Sequence, residues 1–94
     1  MTIDPDETFI RGGWEYVEGR MVPDPVLRRI QKLVHNHLQR VTNTSDGWET
    51  LFRDPVDGRL WERSYPQGEM HGGGPESLRC IDNDSAQQKY GIKL

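Results

Sequence analysis

With 94 residues, a formal net charge of −3 and a mean hydropathy of −0.84, this chain can bury one modest hydrophobic core and not two. Only 33% of its residues are hydrophobic, and three tryptophans compensate in part, because each can bury a large apolar area. The single cysteine, Cys80, excludes an intrachain disulfide, there is no C-x-x-C pair for zinc, and no apolar run approaches the roughly 20 residues of a membrane span.

Residues 1–11 are polar and acidic and are expected to be a flexible N-terminal segment, frayed or loosely docked. They lack the basic region and apolar run of a signal peptide, so a cytoplasmic location is expected. Trp14 to Val17 and Met21-Val22, split by Glu18-Gly19-Arg20, predict a small hairpin. Asp24-Pro25 is a helix start: the Asp side chain can cap free amides, and Pro at the first helical position has no amide to lose. Val26, Ile30, Leu33, Val34, His37, Leu38 and Val41 then recur at helical spacing, predicting one long amphipathic helix over 24–42. Asn43-Thr44-Ser45-Asp46-Gly47 ends it.

Residues 48–53 and 59–65 alternate like strands around Asp54-Pro55-Val56-Asp57-Gly58, where Pro pre-sets φ and Gly accepts a positive φ. If Asp54 opposes Arg59, Phe52 faces Trp61, Thr50 faces Arg63 and Trp48 faces Tyr65. That face is aromatic and is expected to be core, since aromatic cross-strand pairs contribute roughly 0.2–1 kcal/mol each. The other face, with Glu49, Leu51, Arg53, Leu60, Glu62 and Ser64, is expected to be mostly solvated. Gln67 to Pro75 reads as a glycine loop, Leu78 to Ile81 as a further strand, and 85–90 as a short helix capped by Asp84 or Ser85 and ended by Gly91. The order β-β-α-β-β-β-α predicts an α+β domain over 12–94, with a mainly antiparallel sheet of 4–5 strands and the long helix on one face.

Candidate chemistry is sparse. His71-Gly72-Gly73-Gly74 resembles an esterase oxyanion loop, but the G-x-S-x-G nucleophile elbow that such an enzyme needs is missing. His35 and His37 point about 200° apart on a helix and cannot share a metal, and with His71 and Cys80 they form a site only if the fold converges them. Cys80 reads as a small buried residue, with Arg79 on the opposite face. No catalytic, cofactor or metal residues are assigned.

Charge is uneven. The predicted helix holds four basic residues (Arg28, Arg29, Lys32, Arg40) and one acid (Asp24), a net +3; the rest of the chain holds eight basic and fourteen acidic residues, a net −6. An acidic body disfavours nucleic acid and suits a basic protein partner. The acids placed by the hairpin reading on its outer face, tip and adjoining loop, Glu49, Asp54, Asp57, Glu62 and Glu69, are the expected partner-binding set.

G-W-E at 47–49, F-R-D-P-V-D-G-R-L-W-E, Y-P-Q-G-E-M-H-G-G-G-P-E-S-L and K-Y-G-I together resemble immunity protein family 27 of bacterial polymorphic toxin systems, from about Gly12 to Ile92 and most strongly from Trp48 to Leu78. The resemblance implies a small cytoplasmic antitoxin, without catalytic residues, that binds and blocks a cognate toxin domain. Combined with the acidic body, it makes a nuclease the expected target. The alternatives are a small hydrolase using the His-Gly-Gly-Gly loop and a small-ligand-binding domain. A monomer or weak homodimer is expected, since an edge strand of so small a sheet could pair with another chain.

Overall fold

The computed structural model describes residues 2–65 and 74–93. Seven strands and two helices follow in the order β1 (Phe9–Arg11), β2 (Trp14–Val17), β3 (Arg20–Pro23), α1 (Pro25–Asn36), β4 (Gln39–Asn43), β5 (Thr50–Arg53), β6 (Leu60–Ser64), β7 (Ser77–Ile81) and α2 (Asn83–Tyr90). Five strands form one antiparallel sheet in the order β1-β7-β6-β5-β4, while β2 and β3 form a separate two-stranded arm. The fold is α+β, as the patterning implied. No helix among the described residues is long and apolar enough to cross a membrane.

The central hairpin has the register read from its alternation: Phe52 pairs with Trp61 and Thr50 with Arg63, and the Asp54 amide donates to the Arg59 carbonyl at 2.9 Å. Gly58 takes φ +77°, the left-handed conformation for which the turn needs glycine. The Val56 amide donates to Asp54 Oδ1 at 2.9 Å, so Asp54 organises the turn with its own side chain. In the arm, Glu18 and Gly19 both have positive φ, the primed turn whose twist suits a two-residue hairpin.

One core lies between α1 and the aromatic face. Ile30 and Leu33 of α1 pack with Ile3, Ile10, Leu38, Phe52, Trp61 and Leu78, and Cys80 lies against them. Asp24 caps α1, accepting from the Leu27 amide at 2.7 Å, with Pro25 in the first turn. Trp48 is a correction: it precedes β5 and is 54% exposed, although its ring meets Tyr65 edge-on at 5.7 Å as the register required.

Four other features differ from the expectations. The helix is 12 residues long and stops at His37, and Gln39–Asn43 is an edge strand. The apolar spacing runs straight through this break, because Leu38 is buried from a strand approach as readily as from a helix. Both the His37 and the Leu38 amides donate to the Leu33 carbonyl, at 3.0 and 2.7 Å, which closes the helix without glycine. The N-terminal segment is docked: β1 pairs with β7, Ile3 and Ile10 are buried, Arg29 grips Glu7 at 2.7 Å, and the Arg59 guanidinium donates to the carbonyls of Glu7 and Asp4 at 2.6 and 3.0 Å. The second sheet face is covered too. Leu51 and Leu60 are buried against Ala86, with Ile81, Tyr90 and Ile92 around them, because α2 lies across that face. Asp82, rather than Asp84 or Ser85, caps α2, accepting from the Ser85 amide at 2.7 Å.

Two predictions follow from this packing. Trp61 is fully buried, so Trp61→Ala is expected to cost about 3–5 kcal/mol in urea denaturation; a variant with the wild-type midpoint would remove the aromatic face from the core. Glu7 is held at a pKa of about 2, first by the Arg29 hydrogen bond, against 4.5 for an unperturbed glutamate. A depressed folded-state pKa contributes stability that is complete above the unfolded value and lost as pH falls through the folded one. Glu7→Gln should therefore lower the urea midpoint at pH 7, and its deficit should close as pH falls from about 4.5 towards about 2; a deficit independent of pH would assign the loss to packing instead.

Candidate functional site

The expected acidic set divides in two. Asp54 is fully buried beneath the hairpin turn. Its Oδ1 lies 3.0 Å from His37 Nε2, tying the turn to the end of α1, and its Oδ2 has no hydrogen-bond partner among the described residues. Glu62 is 1% exposed in the middle of the sheet. Neither carboxylate is the solvated group that the outer-face reading required. Asp57 is exposed and bonds the Arg59 amide at 2.9 Å and Nε at 2.6 Å. Glu49 is half-buried, and Glu69 lies outside the described residues, as do His71, Gly72 and Gly73 of the glycine motif.

Glu62 is buried because β6 has neighbours on both sides and α2 above it. A carboxylate there must be satisfied by the protein. Its Oε1 accepts from Arg79 Nη2 at 2.9 Å, and its Oε2 accepts from Tyr90 Oη at 2.8 Å and contacts Lys89 Nζ at 2.7 Å. Lys89 reaches Glu49 Oε2 at the same 2.7 Å, so the two carboxylates share one ammonium. Burial pushes the Glu62 pKa up, but Lys89, Tyr90 and Arg79 outweigh it and hold the carboxyl below its usual range. Burial also works against the Lys89 charge, and the two carboxylates overcome it, raising the ammonium pKa. The Tyr90 hydroxyl is pushed up, by burial first and by its bond to Glu62 second, so it stays a donor.

This cluster floors a cleft of about 600 Å³. Glu62, Glu49, Arg79 and Ser64 supply its polar lining, and Phe9, Trp48 and Tyr65 its aromatic walls. Phe9 is there because β1 pairs with β7, which sets it opposite Arg79. The sequence reading grouped Glu49 with Glu62 and Trp48 with Tyr65, and the fold brings all four together. It missed Phe9, Arg79, Lys89 and Tyr90. The overlooked signal was Leu51 and Leu60: two leucines sharing a face with Glu62 imply a cover, and the tail containing K-Y-G-I was available to supply it.

Elsewhere, His37 is a hydrogen-bonded, mostly buried ring, and Cys80 is a free thiol packed against the α1 core. Among the described residues, no three His, Cys, Asp or Glu side chains come together as a metal site.

These features define a small α+β domain with a side-chain-lined cleft on the sheet face that α2 partly covers. The model of the family described as immunity protein 27 matches residues 16–82, and the chain belongs to that family. An immunity role, with a toxin protein as partner, goes with this membership. No curated protein and no solved structure matches the chain.

The Glu62 cluster is open to direct test. Glu62→Gln removes the charge shared by Arg79 and Lys89 but keeps an acceptor for Tyr90. The expected cost is about 1–3 kcal/mol in urea denaturation, less than that of stranding a buried cation, since Arg79 and Lys89 can turn towards water. A change within about 0.5 kcal/mol, the range of ordinary surface substitutions, would mean that the cluster adds nothing to the fold.

Proposed function

We propose that this immunity protein neutralises its toxin by binding and occluding it, with no catalytic step of its own, and that the toxin is a nuclease. The observation that carries this reading is the charge distribution: the chain is −3 overall, while three basic residues, Arg28, Arg29 and Lys32, lie on α1, away from the cleft face. Arg29 is moreover neutralised by Glu7. A nuclease must hold phosphates in a basic groove, and an acidic inhibitor is drawn to such a groove by long-range attraction.

Glu49 and Asp57, with Glu69, are the docking acids in this reading. Glu62 serves as the floor behind Glu49, and Asp54 serves the turn. Rim charges chiefly set the association rate and its salt dependence, because they act before close contact is made.

The first check is co-expression with the toxin domain encoded beside this gene: the host should survive, and death despite abundant folded protein would end the proposal. The surface is checked by stopped-flow association with that toxin. Glu49→Gln with Asp57→Asn should slow association several-fold and flatten its salt dependence, while Arg28→Glu with Lys32→Glu should not weaken binding. The reverse pattern would move the interface to α1.

A further inference from the structure

The cleft beside Trp48 is built to receive a particular kind of group. Its floor is charge-balanced: Arg79 is committed to Glu62 at 2.9 Å, and Lys89 bridges Glu62 and Glu49 at 2.7 Å each. Arg79 nonetheless keeps its side chain 55% exposed at the Phe9 end, where an anion would be drawn. At the Trp48–Glu49 end, what remains unused among the described residues is aromatic surface and one carboxylate oxygen. Trp48 and Phe9 are 54% and 51% exposed where the cleft opens, and Glu49 Oε1 takes no hydrogen bond from the described residues. Trp48 packs against the Tyr65 ring, with centroids 5.7 Å apart and 84° between planes.

An exposed indole sharing a cleft with a carboxylate oxygen that takes no hydrogen bond from the described residues favours a cation. The ring faces carry negative charge density, and the oxygen accepts hydrogen bonds. A guanidinium suits it better than an ammonium. It is planar, so it can stack on the indole while its edge donates to Glu49, and it sheds water more easily. Arg79 occupies the other end, opposite Phe9, which directs an incoming cation to the Trp48–Glu49 end. At that end an anion would meet the Trp48 ring and a carboxylate, in a protein of net charge −3.

We infer that this cleft is an anchor site for one arginine side chain of the partner, stacked on Trp48 and hydrogen-bonded to Glu49 Oε1. The inference deepens the toxin-binding reading and rests on it for the identity of the partner, but the chemistry of the cleft can be tested alone. Such an anchor would concentrate binding energy at one point, as aromatic and arginine contacts at the centre of interfaces commonly do.

The probe is N-acetyl-arginine amide, titrated into the 15N-labelled protein and read at the three tryptophan indole N–H resonances, with Trp48 assigned by Trp48→Phe. The Trp48 signal should move saturably, while Trp14, also solvent-exposed, and buried Trp61 should stay in place. The neutral isostere N-acetyl-citrulline amide should bind at least about tenfold more weakly, the loss expected with a charge-assisted hydrogen bond. Equal shifts from the two probes, a larger response to N-acetyl-phenylalanine amide, equal movement of Trp14, or no movement would each overturn the assignment. With the toxin, Trp48→Ala should weaken binding about thirtyfold, as befits a hot spot. Wild-type affinity in the folded variant would remove the cleft from the interface and leave the immunity proposal standing. A toxin that fails to bind the wild type would instead remove the blocking reading, while the arginine titration would still report on the cleft.

Discussion

Strand β6 is the constraint on which the rest of this molecule depends. It lies at the centre of the five-stranded sheet, with Trp61 turned towards α1 and Leu60 and Glu62 turned towards α2. A chain of this size has few large apolar residues, and covering both faces of its central strand lets Leu60 and Trp61 both be buried. The consequence is a carboxylate in the interior. Glu62 is tolerable there only because three donors from β7 and α2 converge on it, so the closing helix is held by polar geometry as well as by Leu51, Leu60 and Ala86.

The same economy explains the N-terminal segment and the hairpin turn. Arg59 lies over the Trp61 ring at 5.0 Å while donating to two carbonyls of the first seven residues, so one side chain seals the core edge and pins the strand that follows. Asp54 works from the other side of the turn, contacting His37 where α1 ends. Acids and bases that look like surface charge in the sequence are therefore spent on joining elements. Fewer unpaired acids remain at the surface than a count of acidic residues suggests.

The cleft has a composite origin. Phe9 comes from the edge strand, Trp48 and Glu49 from the approach to β5, Glu62 from β6 and Arg79 from β7, with Lys89 of α2 behind them. Apolar walls surround a floor whose carboxylates are paired with Arg79 and Lys89, and Arg79 keeps its side chain 55% exposed. In the toxin-binding proposal for this member of the immunity protein 27 family, the cleft would supply specificity and the exposed acids outside it steering.

The sequence by itself determined the elements whose cause is local. The Asp24-Pro25 start, the Asp54-to-Gly58 turn, the register pairing Phe52 with Trp61, and the α+β class all follow from caps, turn residues and alternation acting over a few positions. Membership of the family was legible in the same residues, since Trp48 to Leu78 carries both the hairpin and the motif. The end of α1 was decided elsewhere. From Val34 to Val41 the apolar spacing suits a helix, no glycine stops it, and the chain turns at His37, where buried Asp54, 17 residues away, meets the ring. Likewise, nothing local distinguishes Glu62 from Glu49, and only the arrival of Arg79, Lys89 and Tyr90 makes one interior and leaves the other half exposed. Short-range conformational preference can be read from neighbours in the chain, but the burial of a charge depends on which distant donors come to meet it, and that is a property of the assembled fold.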